Sequence, residues 1–94
     1  MDIGFVWDEK KYNQVIAEHG VQFYEVVSAF DDPYGFEEMS PVEHGVRWMY
    51  IGKTRWDRLL AVIFTEQDLP LYRIITAYDA EGRWIDEYKQ RRGV

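Results

Sequence analysis

Apolar residues recur at two spacings along this chain, and the change from one to the other divides it. Tyr12, Val15, Ile16 and His19 follow the i, i+3, i+4, i+7 rhythm of a helix with one buried stripe. Asp8 stands ahead of them as an N-cap and Gly20 stops the run, which predicts a first helix ending near Glu18. Phe23, Val26, Val27 and Phe30 repeat the rhythm, predicting a second helix from Gln22 to Ala29 that Asp31-Asp32-Pro33 ends. Ile3 to Trp7, ahead of both, reads as a short strand. After Pro33 the period shortens. Tyr34 to Met39 reads as a short or irregular strand, Ser40 to Gly45 as a loop containing Pro41, and Val46 to Gly52 as a strand followed by a loop from Lys53 to Asp57. Leu59 to Thr65 is apolar at almost every position, the pattern of a central strand covered on both faces. Gln67-Asp68-Leu69-Pro70 turns the chain into a last strand, Leu71 to Tyr78. Ala80 to Arg91 then reads as a helix with Trp84, Ile85 and Tyr88 toward the core.

Consecutive strands on short loops pair antiparallel. The expected fold is α+β: an N-terminal helical hairpin, an antiparallel sheet of three to four strands and a C-terminal helix. Ninety-four residues with 47% hydrophobic and 17% aromatic side chains support one compact domain over residues 1–94. The chain has no cysteine, so a disulfide framework, a thiolate metal site and a cysteine nucleophile are excluded. No apolar stretch approaches the length of a membrane span, and cytoplasmic residence is the expectation.

Charge changes the picture more than composition does. The net charge of −6 argues against a general nucleic-acid binder. Yet residues 1–46 hold 10 acidic and 2 basic side chains, whereas residues 47–94 hold 7 acidic and 9 basic ones. If the fold gathers Arg47, Lys53, Arg55, Arg58, Arg73 and Arg83 onto one face, an acidic protein still presents a cationic groove; otherwise these residues only solvate strand edges and the last helix. Trp56 lies in the polar loop between Arg55 and Asp57, placed for contact with RNA or a protein partner, whereas Trp7, Trp48 and Trp84 fall at core positions. His44 lies in a loop ahead of Arg47 and has the ordinary titration range for an acid or base at neutral pH. Glu37-Glu38 and Asp31-Asp32 lack metal-ligand spacing, and no glycine-rich phosphate loop or nucleophile elbow is present. No metal and no cofactor are expected.

Five segments in order, FVWDEKK (5–11), HGVQFYEVVSAFDDP (19–33), RWMYIGK (47–53), RLLAVIFTE (58–66) and RIITA (73–77), make the chain resemble the BrnT family of ribonuclease toxins. The resemblance covers nearly the whole sequence. It implies a RelE-like fold and the toxin role in a type II toxin–antitoxin pair, with metal-independent RNA cleavage that inhibits translation and growth. It also implies a small DNA-binding, BrnA-like antitoxin as partner; the toxin chain is not expected to bind DNA alone. Lys11 matches the lysine of the family's W-D-x-x-K opening, Arg47 the arginine of its R-W/Y-x-x-I-G strand, and Arg73 the arginine of R-I-I-S-A. Lys53 and Arg58 fall where the family tends to be basic. His19 matches the family's H-G-V-x-F junction, where capping or packing is the expected role.

The chain departs from that pattern at Val15, at Glu18, in the final helix and at the end of the last strand. There the usual S-A-R-K/R-A becomes Thr76-Ala77-Tyr78-Asp79-Ala80. Tyr78 could donate a hydrogen bond or carry a proton in place of the missing arginine. The expected catalytic set is therefore Arg47, Arg73 and Lys11 on the phosphate, with Tyr78 or His44 moving protons. Lys53, Arg55, Trp56, Arg58 and Arg83 are the expected RNA contacts. Two alternatives stand beside an active ribonuclease: a relative that has lost catalysis and keeps its antitoxin-binding role, and a small structural or regulatory interaction domain.

Overall fold

The computed structural model describes residues 4–42 and 45–93, which form one five-stranded sheet and three helices. In chain order the elements are β1 (Gly4–Trp7), α1 (Glu9–His19), α2 (Phe23–Phe30), β2 (Phe36–Val42), β3 (Gly45–Lys53), β4 (Leu59–Asp68), β5 (Leu71–Asp79) and α3 (Arg83–Arg92). The strands lie in the order β1-β5-β4-β3-β2, with β1 parallel to β5 and every other pair antiparallel. The mixed α+β class holds, with a larger sheet than the three to four strands expected. β1 joins through a partner nearly seventy positions away, a pairing for which the sequence carries no local turn signal.

α1 starts where the Asp8 carboxylate accepts the Lys11 amide (3.1 Å) and stops where Gly20, at φ +63°, turns left-handed and donates its N–H to the Ile16 carbonyl. The two N-terminal helices do not build a hairpin around a shared seam. α1 lies on β5 and α2 on β3 and β4, so each buries its stripe against the sheet. The Tyr12 hydroxyl ties their junction by accepting the Phe23 amide at 2.9 Å. Val15, Val21, Val26 and Ala29 meet Tyr50, Leu60, Val62, Phe64, Ile74 and Ala77 in the larger core on this side. Burial of this kind contributes about 25 cal/mol for each Å² of apolar surface removed from water.

Among the described residues the other side of the sheet is only half covered. α3 lies over one end, where Phe36, Ile51, Ala61, Ala80 and Tyr88 form a smaller core. Asp32, at the end of α2, locks that end together. Its carboxylate accepts the Tyr34 and Lys53 amides (2.9 and 2.8 Å) and the Tyr88 hydroxyl of α3. Burial pushes this carboxyl up, but those hydrogen bonds and the nearby Arg92 charge outweigh it, leaving Asp32 below its usual range. The expected loop from Ser40 to Gly45 is shorter than predicted, because β2 pairs on to Val42, opposite Gly45. His44 lies outside the described residues. Among the described residues no helix is long and apolar enough to cross a membrane.

Candidate functional site

The strand register decides which of the candidate cations meet. Trp48 of β3 faces Phe64 of β4, which puts Arg47 and Thr65 one step further along their strands, and Thr65 is paired with Arg73 of β5. Trp48, Phe64, Tyr72 and Ile74 point into the larger core, so Arg47, Thr65 and Arg73 point to the opposite face. Adjacent strands are about 4.8 Å apart, so the two arginines stand about 10 Å apart across Thr65. This row lies at the sheet end that α3 leaves open. Arg73 is also shared with a second feature, a cleft of about 430 Å³ at the start of α1, lined with Asp8, Lys10, Lys11 and Gln14. Lys10, Lys11, Arg73 and Arg47 thus form a cationic strip around one end of the molecule. Lys10 belongs to no motif in the sequence and has only its place beside Lys11 as a signal. Thr65 is concealed in the sequence by the apolar run that precedes it.

Tyr78 lies on the same side of the sheet but further along β5, opposite Ala61, where it packs on the smaller core beneath α3, its ring 5.8 Å from that of His19. Arg83 begins α3 with its guanidinium over the Trp84 ring (4.3 Å) and 4.0 Å from Glu38. That places it beside the open half, in keeping with a solvent-facing contact.

The remaining candidates occupy the other end of the sheet. Arg47 lies near the start of β3 and Lys53 ends it, six residues or about 20 Å apart. Lys53 pairs with Asp57 at 3.0 Å. The Arg55 amide donates to the Ser28 hydroxyl, and Trp56 meets Tyr24 edge-on with ring centroids 5.0 Å apart, both rings more than half exposed. These two sit beside α2, on the face away from the Arg47–Arg73 row.

Arg58 is held in a knot. Its guanidinium donates to the His19 and Gly20 carbonyls (both 2.9 Å), to the Glu25 carboxylate (3.2 Å) and to Asp79 (2.6 and 3.1 Å). It therefore caps the C-terminus of α1, anchors the start of α2 and closes the end of β5. The Asp79 and Glu25 carboxylates push the Arg58 guanidinium still further up, and the Arg58 hydrogen bond holds the Asp79 carboxyl below its usual range. Asp79 is accordingly a neutralised structural partner, not a bare negative charge facing the open site. Among the described residues no group of three or more His, Asp or Glu side chains is arranged to hold a metal ion.

A five-stranded sheet with three helices, carrying Arg47 and Arg73 two strands apart on one face, makes this a small α+β domain. The sequence model for "Ribonuclease toxin, BrnT, of type II toxin-antitoxin system" matches residues 7–83, and the chain belongs to that family. Membership implies an antitoxin partner. Among solved structures it is similar to the 1.1 Å crystal structure of the Brucella abortus ribonuclease toxin BrnT, with 26% identity and a TM-score of 0.59. That match covers 86% of this chain and 100% of the other. No curated protein sequence matches the chain.

Proposed function

We propose that this chain is an active, metal-independent endoribonuclease toxin that binds the RNA backbone along the Lys10–Lys11–Arg73–Arg47 strip and inhibits translation and growth. The observation that carries the reading is the register that sets Arg47 and Arg73 two strands apart on one face. Cleavage needs the ribose 2′-hydroxyl deprotonated, the crowded phosphorane stabilised and the departing 5′-oxygen protonated. Two guanidinium groups straddling a phosphate supply the second requirement, because each stays charged and offers its planar fork to non-bridging oxygens. Lys11 adds charge from the cleft beside Arg73. Tyr78 stands five residues, or about 16 Å, along β5 from Arg73, too far to serve the same phosphate, so His44, ahead of β3 in sequence, is the candidate proton carrier. Arg83 borders the path. Lys53, Arg55 and Trp56 lie too far from the row to hold the same phosphate.

The antitoxin partner is taken to be a small DNA-binding protein that covers the strip, and the toxin chain alone does not bind DNA. In an RNA-cleavage and growth assay, Arg47→Ala and Arg73→Ala each lower activity about 100-fold or more, the scale of losing one transition-state donor, without unfolding the chain. Parental activity in both variants refutes the site.

A second reading, a relative that has lost catalysis, has one observation in its favour. The place of the resembled family's second cation is held by Asp79, locked onto Arg58. Intact RNA and normal growth with soluble, folded parental protein would select that reading.

A further inference from the structure

We propose that Thr65 is the floor of the phosphate site, its hydroxyl serving as a third donor to the phosphate held by Arg47 and Arg73. The proposal rests on the preceding reading of that row and adds to it a residue that no resemblance singles out. Thr65 is 7% exposed, and its Oγ1 is buried with no hydrogen-bond partner among the described residues. A buried hydroxyl left without a partner costs stability, so nearly all find one. β4 is otherwise apolar from Leu59 to Phe64, and a valine would fill position 65 with the same branched shape. The hydroxyl thus does nothing for the folded chain by itself. It points to the same face as the two arginines and lies between them, where a bound phosphate oxygen would be its missing acceptor. Reaching the buried hydroxyl requires that the side chains over it move aside as the anion engages the two arginines. A hydroxyl at the centre then fixes the depth of the phosphate, which two flexible arms at the sides leave unset.

Thr65→Val removes the hydroxyl and keeps the branch. Binding of an uncleavable 2′-O-methyl RNA oligonucleotide is measured with the full chain, alongside cleavage of the matching RNA and urea unfolding. The expected result is roughly tenfold or greater loss of both binding and cleavage, the worth of one hydrogen bond to a charged group. Stability is expected to be unchanged or raised, because an unsatisfied group has gone. A merely structural threonine predicts the reverse: parental binding and cleavage in the valine variant. If that result appears while Arg47→Ala and Arg73→Ala lose activity, the Thr65 assignment is overturned and the arginine site stands. If all three variants behave like the parent, the site itself falls, and Thr65 with it. Should the valine variant fold poorly, Thr65→Ser and Thr65→Ala differ by the hydroxyl alone. Stronger binding by the serine variant supports the proposal, and equal binding by the two overturns it.

Discussion

At the scale of single residues, Arg58 shows how a cation can look like a ligand-binding group and be used up by the fold. Its side chain is 26% exposed, and it satisfies two carbonyls left over at the end of α1 while pairing with Glu25, of which only 11% is exposed. Arg58→Ala would strand the Glu25 charge in a poorly solvated place and uncap α1. A loss of about 2–4 kcal/mol in urea unfolding is expected. Asp79 is 60% exposed, so Asp79→Asn is expected to cost no more than about 1 kcal/mol. Equal losses in the two variants would show that the knot is organised around Asp79 instead. The acid limb offers a second check. Asp79 and Asp32 both titrate below their ordinary range when folded, so each contributes stability above the unfolded carboxyl pKa of about 3.9 that is lost as pH falls through the folded value. Removing Arg58 takes away the main cause of the Asp79 shift, and the fall of stability with acid becomes shallower.

At the scale of elements, the close approach of α2 to the sheet governs the packing of β3. A Cβ on Gly52 would lie 2.6 Å from the Ala29 carbonyl oxygen and 2.4 Å from the Tyr50 ring. The backbone of α2 cannot yield as a side chain end can. Gly52→Ala is therefore expected to destabilise the chain by about 1–3 kcal/mol in urea unfolding, the usual range for overpacking, and an unchanged midpoint would show that α2 can lift. Much at this scale was legible in sequence: Asp8 and Gly20 bracket α1, the apolar run at Leu59 marks the central strand, and Tyr88 faces the core. What was hidden depends on long-range pairing. The parallel docking of β1 on β5 and the separate seats of α1 and α2 on the sheet leave no local pattern, since an amphipathic stripe says that a face is buried without saying against what. The candidate site was hidden for the same reason. Arg47 and Arg73 are nameable one by one, but only the register makes them neighbours across Thr65, and only the length of β3 sends Lys53, Arg55 and Trp56 to the far end.

For the whole molecule the open question is how a chain of net charge −6 holds RNA, since the average field repels it. The distribution of charge supplies the answer: the strip of Lys10, Lys11, Arg73 and Arg47 gathers basic side chains at one end of the molecule. Each phosphate that the strip neutralises releases condensed counterions. For single-stranded RNA the logarithm of affinity should fall with the logarithm of salt at a slope of about −0.7 per contact, or about −3 for four cations. Titrating the uncleavable oligonucleotide across a range of salt concentrations measures this directly, and Lys10→Ala with Lys11→Ala should bring the slope to about −1.5. A steep slope that survives those substitutions would move the RNA path away from the α1 cleft and toward the Arg55 end of the molecule. A parental slope near zero would mean that no cationic strip operates at all. The absolute affinity is expected to be modest even if the slope is as predicted, because the remaining acidic surface repels the same backbone that the strip attracts. That pairing of a definite slope with weak binding is what separates a local cationic strip from a generally basic nucleic-acid binder.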